Sequence, residues 1–212
     1  MRNLSAALIV GTSLLFMSAT ANAGNSKRYK SNITSVPTSS VQIEVALSED
    51  LEFRAENYGD GLKQCSISSK NRSRGFACDG YFGIKDLNAL KDRLKKRAAL
   101  ALTKKNMTIS DDMGLVLKLT LVDVQNNRPT YRQLSQEVNL SSRSIQLGGA
   151  DFEGELFTQD GVSLGTMSYS YYDSLFDEFS RSRGIWTDTH EAILRFSTRL
   201  AKDISKRRKN TS

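Results

Sequence analysis

The 212-residue sequence contains only one histidine, two cysteines, two prolines and one tryptophan. Catalysis by several histidines, zinc sites built from many cysteines and iron–sulfur clusters all require side chains that this chain barely has. Hydrophobic residues make up 39% of the chain and charged residues 25%, a composition that argues against wholesale disorder. We therefore expect one folded domain with short appendages, without a cofactor or a metal ion.

The first 23 residues have the three parts of a secretory signal peptide. Arg2 supplies a positive start, residues 8–17 are mostly apolar, and Ala21-Asn22-Ala23 has the small residues of a cleavage site. The apolar stretch is shorter than the roughly 20 residues that span a bilayer, although an uncleaved anchor or a buried helix is an alternative. We predict cleavage after Ala23, which leaves no transmembrane segment. The loss of Arg2 lowers the formal net charge from +7 to +6.

Export determines how the two cysteines are interpreted. Cys65 and Cys78 flank a polar, basic loop, and two thiols in an oxidising compartment allow only one intramolecular pairing. Closing a loop of this length stabilises the fold by roughly 3 kcal/mol in the chain-entropy model. A redox or metal role would need a closer spacing or further ligands. We predict a structural disulfide, with free or reactive thiols as the alternative, in a periplasmic or secreted bacterial protein.

Beyond the signal peptide, the composition divides the chain into three parts. Residues 24–40 are rich in Ser, Asn, Lys and Thr and poor in apolar side chains, which is typical of a flexible leader. Residues 41–207 carry regular apolar patterns and are expected to form a single domain. Residues 208–212 are expected to form a basic tail.

Apolar residues alternate with polar ones in several segments, the pattern of half-buried strands. Residues 41–47 and 115–122 show it most clearly, while residues 51–58 are ambiguous. Residues 144–158 and 162–172 flank Asp160-Gly161, which is a strong hairpin signal.

Glycines mark the points where the alternation changes phase. Ala150 has the opposite parity to the apolar residues before Gly148-Gly149, and the same change occurs at Gly165. A glycine at such a point predicts a β-bulge or a sharp bend in each strand.

Two segments have the three- and four-residue apolar spacing of amphipathic helices, residues 85–105 and 189–206. Asp188 followed by Glu191 resembles a capping box at the start of the second helix. Two amphipathic helices require a sheet to pack on. The predicted fold is α+β: a two-layer sandwich of a mainly antiparallel sheet with the two helices packed on one face.

Part of the sequence resembles a group of uncharacterised bacterial envelope proteins and lipoproteins of unknown function. The residues that carry the resemblance are Leu115 to Val124, Gly148-Gly149-Ala150, Asp160-Gly161, and Trp186-Thr187-Asp188 with Phe196 and Leu200. The order of elements is also similar to the N-terminal domain of the Tol translocation protein and to the curli-secretion lipoprotein. The resemblance implies an envelope accessory or assembly domain and brings no catalytic residues with it. This chain lacks the acylated cysteine of the lipoproteins, so membrane attachment does not carry over.

An aromatic cluster near the C-terminal helix is a candidate partner-binding site. Tyrosine, tryptophan and arginine are favoured in protein interfaces, and they are concentrated here in and around a loop. The alternative is that the aromatic residues belong to the core, where we expect Tyr169 and Tyr171. The candidate partner-binding residues are Tyr172, Phe176, Phe179, Arg181, Arg183 and Trp186.

The basic residues at the C-terminus are a second candidate site. Lys206, Arg207, Arg208 and Lys209 would suit an anionic surface of the envelope, such as lipid, lipopolysaccharide or glycan. A solvated helix end whose cations complement the helix dipole is an equally good interpretation. An exported protein has little access to nucleic acid, so we exclude that partner.

The residues that could carry catalysis form no recognisable constellation. His190 would need a nucleophile and an orienting acid, while Asp111-Asp112 and Asp177-Glu178 are adjacent acids rather than carboxylates facing one cleft. We therefore predict a periplasmic accessory or interaction protein of the cell envelope without catalytic activity, whose partner is an envelope protein or an anionic envelope surface. The alternative is a small hydrolase or glycan-active enzyme, which converging carboxylates would favour.

Overall fold

The structure is a computed structural model. It describes residues 29–37, 39–58, 83–111, 114–128, 138–139, 141, 148–173 and 184–209. The predicted signal peptide, the Cys65–Cys78 disulfide and the acidic pair Asp177-Glu178 lie outside these residues.

Five strands and three helices make up the described part of the chain. They are β1 (Tyr29–Ser31), β2 (Val41–Leu47), α1 (Glu49–Tyr58), α2 (Ile84–Thr103), β3 (Leu115–Gln125), β4 (Gly149–Phe157), β5 (Ser163–Tyr172) and α3 (Thr187–Lys209). The strands form one open sheet in the order β1-β5-β4-β3-β2. Strands β2 and β3 are parallel, and the other three pairs are antiparallel. The predicted α+β class is confirmed.

The helices α2 and α3 pack against each other and cover one face of the sheet. The alternating pattern explains why, since every second residue of β3 from Leu115 to Leu121 is buried under these helices. Each helix contributes one apolar stripe: Leu87, Leu90, Leu94, Ala98 and Leu102 from α2, and Ile193, Phe196, Leu200 and Ile204 from α3. We call the covered side the inner face of the sheet and the opposite side the outer face.

Aromatic rings occupy the centre of the core. Phe196 of α3 is stacked on Phe152 of β4, with ring centroids 4.8 Å apart, and lies 6.1 Å from the ring of Tyr169. Tyr169 and Tyr171 are buried, as the strand pattern predicted. These rings bury a large apolar area where the layers meet.

The prediction that residues 24–40 form a flexible leader is wrong for the described part of that segment. Tyr29–Ser31 pairs with β5 as an edge strand, and the backbone N–H of Thr34 donates to the carbonyl of Leu164. Ile33 and Val36 are completely buried. A segment of polar average composition is thus fixed by a few backbone hydrogen bonds and two apolar side chains.

The ends of the C-terminal helix also differ from the prediction. Helix α3 begins at Thr187, so Asp188 lies inside its first turn and is not the N-cap residue. It extends to Lys209, so residues 208 and 209 are helical and not part of a tail. The ambiguous segment 51–58 belongs to helix α1, where Leu51 and Ala55 face the core.

The predicted hairpin is confirmed, and so is the irregularity at Gly165. Gly161 has a φ of 80°, the left-handed conformation that this turn requires, and the Thr158 N–H donates to the carbonyl of Val162. Gly165 (φ 133°) lies at a register shift between β4 and β5. A side chain at Gly165 would also collide with the backbone of Ile33.

A second register shift lies in β3, between Leu121 and Asp123. Val122 is the extra residue, and its carbonyl accepts a hydrogen bond from the Ser48 hydroxyl at 2.7 Å. The shift leaves Leu121 and Val124 both on the inner face and turns Asp123 to the outer face.

Candidate functional site

Two of the six candidate partner-binding residues lie in the described part of the chain. Tyr172 is half-buried at the end of β5 on the outer face, and Trp186 packs against the core just before α3. Phe176, Phe179, Arg181 and Arg183 lie outside the described residues. The structure therefore brings Tyr172 and Trp186 to opposite faces of the sheet.

The Tyr172 hydroxyl lies between two carboxylates on the outer face. It is 3.0 Å from Oδ2 of Asp151 and 3.4 Å from Oδ2 of Asp123. Burial raises the pKa of the Tyr172 hydroxyl, and the negative charges of Asp123 and Asp151 raise that pKa further. Tyr172 therefore keeps its single hydroxyl proton, which it can donate to either carboxylate.

The two carboxylates have different surroundings. Asp123 forms an ion pair with Arg54 of α1, with 2.7 Å between Oδ1 and Nη2, and Arg54 also pairs with Asp50 at 2.9 Å. Burial raises the pKa of Asp151, and the charge of Asp123 adds to that effect, while hydrogen bonds from Ser170 and Tyr172 oppose it. Paired acids with unlike surroundings can take different protonation states. We call Asp123, Asp151 and Tyr172 the acid pair site.

No local pattern in the sequence predicts this site, because the site depends on the bulge in β3. The two acids are 28 positions apart in the numbering, and they become cross-strand partners only because Val122 is the extra residue. The adjacent acids Asp111-Asp112, considered as catalytic candidates, lie elsewhere: Asp111 is exposed, and Asp112 is outside the described residues.

A shallow groove of about 700 Å³ runs across the outer face next to the acid pair site. Its walls carry both charges, since Lys118 lies opposite Glu155 and Thr120 opposite Glu153 on β3 and β4. The Lys118 ammonium lies 5.2 Å from the centre of the Phe157 ring. We call this the outer-face groove; its other polar lining residues include Lys30, Thr166 and Ser168.

Buried polar groups fix the start of α3 to the sheet. The Asp188 carboxylate accepts hydrogen bonds from the Asn127 side-chain amide and, at 3.1 Å, from the N–H of Gly148. The side-chain oxygen Oδ1 of Asn127 also accepts a hydrogen bond from the backbone N–H of Asp188, at 2.9 Å. The Thr189 hydroxyl lies within hydrogen-bond distance of the Gly149 carbonyl. Asp188 therefore has a structural role, joining the helix to the ends of β3 and β4.

A cleft of about 390 Å³ lies between α2 and the first turns of α3. Arg93 and Arg97 line it from α2, and His190 and Arg195 from α3. Burial lowers the pKa of His190, and the charges of Arg93 and Arg97 lower it further. Burial raises the pKa of Tyr171, which also lines the cleft, to about 12. We call this the interhelical cleft; its other lining residues include Asp173, Thr187, Asp188, Glu191 and Leu194.

Much of the predicted basic site at the C-terminus has internal partners. Arg208 donates to the carbonyls of Asn106 and Lys105, at 2.9 and 3.3 Å, and so fastens α3 to the end of α2. Arg207 lies 3.5 Å from Asp203. Lys206 is exposed, and the side chain of Lys209 is not described. The contact of these residues with an anionic surface of the envelope stays a prediction.

Within the described residues, none of the helices has the length and apolar content needed to cross a bilayer. That part of the chain also has no group of three or more His, Cys, Asp or Glu side chains arranged as metal ligands.

Comparison with models of known protein families found no match, and neither did comparison with curated proteins. Two solved structures have a similar chain course. One is a PelC dodecamer from Paraburkholderia phytofirmans, with 10% identity and a TM-score of 0.41. The similarity covers 82% of this chain and 96% of that chain. The other is XCC0632 from Xanthomonas campestris, of the DUF330 family, with 8% identity and a TM-score of 0.43. This similarity covers 85% of this chain and 95% of that chain. Both scores are low, and neither similarity carries a functional assignment.

Proposed function

We propose that this chain is an exported accessory protein of the bacterial envelope, which acts in the periplasm by binding an envelope protein rather than by catalysis. The signal-peptide pattern of residues 1–23 supports export. The outer-face groove is the observation that carries the binding role, since α2 and α3 cover only the inner face and leave a broad polar surface.

The charges of the groove favour a protein partner over a membrane or a glycan. Lys30 and Lys118 are balanced by Glu153 and Glu155, so this surface does not attract an anionic membrane. Sugar rings stack on free aromatic faces, whereas the Phe157 ring is covered by the Lys118 ammonium. Alternating charges match the complementary charges of a protein surface and set its orientation.

Site-specific crosslinking in cells tests the binding surface. A photo-crosslinking amino acid at Thr120 or Ser168, both in the groove, should capture the same envelope protein. The matched control is the same amino acid at Lys95 or Lys202, which are exposed on α2 and α3. Capture from the helix positions alone, or no capture from either groove position, would refute the proposed surface.

Export is tested separately by fractionation and N-terminal sequencing of the mature protein. We expect the protein in the periplasmic fraction, starting at Gly24. A cytoplasmic protein that retains Met1 would refute export without bearing on the groove.

The acid pair site supports a second candidate function, a glycan-active hydrolase. Asp151, with its raised pKa, is suited to protonate a leaving group, and the ion-paired Asp123 is suited to act as the carboxylate. The Asp151→Asn variant should abolish release of sugars from isolated envelope glycans, while Glu153→Gln, on the same strand face, should retain it. Equal release by wild type, D151N and a heat-inactivated sample would exclude this function.

A further inference from the structure

The interhelical cleft is lined by three arginines and three acids, and two of the arginines, Arg93 and Arg97, form no ion pair with those acids. Arg93 and Arg97 are one helical turn apart on the same side of α2, an arrangement in which like charges repel. Neither forms an ion pair with a residue of the described part of the chain. Nε of Arg93 is buried without a hydrogen-bond partner. A buried guanidinium donor without an acceptor is unfavourable, and a bound anion would relieve it.

The acids that line the cleft have other roles. Glu191 is 2.7 Å from Nε of Arg195, and Asp188 accepts its hydrogen bonds from Asn127 and Gly148. Asp173 is buried at the end of β5 and lies outside ion-pair distance of both Arg93 and Arg97. Glu191 is therefore ion-paired with Arg195, and none of the acids that line the cleft is ion-paired with Arg93 or Arg97.

The side chains around the cleft provide donors from both helices. Arg93 and Arg97 approach from α2, and His190 approaches from the first turn of α3. Arg195 adds a third guanidinium, held by Glu191 with its Cζ 4.8 Å from the centre of the Tyr171 ring. The Asp188 N–H is already bonded to Asn127, so side chains rather than helix amides would contact a ligand.

We propose that the interhelical cleft binds a phosphate group, with Arg93, Arg97 and His190 as its ligands. A carboxylate is satisfied by one guanidinium, whereas three donor side chains from two helices suit the several oxygens of a tetrahedral anion. A volume of about 390 Å³ holds a phosphate together with part of the molecule that carries it. The ligand is therefore a phosphate ester or free phosphate. This site lies on the helical side of the fold and does not depend on the outer-face groove.

The chain has one histidine, so its imidazole reports directly on the cleft. The test is an NMR pH titration of His190 in the mature full-length protein, with inorganic phosphate, glycerol phosphate or acetate at constant ionic strength. A bound anion favours the imidazolium form, so phosphate should raise the pKa of His190 while acetate should not. The groups that also influence this titration are Arg93, Arg97, Tyr171, Asp173, Asp188, Glu191 and Arg195.

Charge-neutralising variants separate binding from general screening. Arg93→Gln with Arg97→Gln should weaken phosphate binding about tenfold or more, because charge-assisted hydrogen bonds are lost. Arg97→Gln alone covers the case in which the double variant does not fold. The control is Lys95→Gln with Lys96→Gln, which removes two charges from exposed positions on the same helix and should bind as wild type does.

Phosphatidylcholine vesicles with and without phosphatidic acid distinguish the source of the phosphate. Binding only to phosphatidic acid vesicles, lost in R97Q, identifies a lipid headgroup, and binding only to the dissolved compounds identifies a small phosphate. Either result supports the site. An unchanged phosphate response in R97Q, an equal response to acetate, or no response in either format would overturn it. None of these outcomes bears on crosslinking at the outer face.

Discussion

The two faces of the sheet differ in what their side chains are suited to do. On the inner face, Phe152 and Tyr169 pack with Phe196 in a buried aromatic and aliphatic core. On the outer face, the same strands present Glu153, Ser168 and other polar groups to an open groove. Side chains that alternate along one strand therefore separate the buried core from the polar surface on which we propose that a partner binds. Substitutions that distinguish the faces are the direct way to test this division.

The largest loss of folding stability is expected from a substitution at Phe196 on the inner face. The Phe196→Ala variant removes a completely buried ring that is stacked on Phe152, and should lower the free energy of unfolding by about 3–5 kcal/mol. Phe157→Ala, on the outer face, is the matched control and should cost about 1 kcal/mol, since the ring is only half-buried beneath Lys118. Urea unfolding measures both, and equal losses would contradict the division between the faces.

A smaller effect is expected where the N-terminal segment joins the inner face. Ile33 is 1% exposed, and Ile33→Ala should cost about 2–4 kcal/mol in the same urea experiment. Lys30→Ala, three residues earlier and exposed on β1, should change stability by no more than about 0.5 kcal/mol. If Ile33→Ala has as little effect as Lys30→Ala, the segment does not belong to the core.

The smallest change in stability is expected at Asp151 on the outer face, and here the substitution should stabilise the fold. Its folded-state pKa is raised above the 3.8 of a solvated Asp, so the folded protein binds this proton more tightly than the unfolded chain does. That stabilisation is complete below pH 3.8 and is lost as the pH rises through the folded-state pKa. Asp151→Asn should therefore be more stable than wild type at neutral pH and lose this advantage in acid. Thermal unfolding across the acid range measures it, and a variant less stable at neutral pH would contradict it.

Periodicity was enough to predict the inner face. The alternation of Leu115, Leu117 and Leu119, together with the helical spacing of Leu87 and Leu90, gave the strand, the helix and their buried sides. These patterns are local, and burial of an apolar face enforces them. The α+β class and the hairpin at Asp160-Gly161 followed from the same reasoning.

The candidate sites could not be predicted in this way because they arise from non-local contacts. Asp123 lies opposite Asp151 only because the bulge in β3 turns the Asp123 side chain to the outer face. Arg93 and His190 line one cleft only because α2 and α3, which are distant in the sequence, pack against each other. The start of the domain differs from the prediction for the same reason. Ile33 is fixed by a strand that follows it by more than 130 residues, and the composition around it gives no sign of this.

The edge strand β1 also constrains when the fold can be completed. The side-chain oxygen Oδ1 of Asn32 accepts a hydrogen bond from the backbone N–H of Thr166, which lies 134 residues later in the chain. Such long-range pairing forms slowly and only after nearly the whole chain is available. A chain that is threaded through a secretion pore with its N-terminus first would hold its first strand unpaired until β5 has crossed. The position of β1 would thus leave this edge of the sheet unpaired until β5 has been translocated.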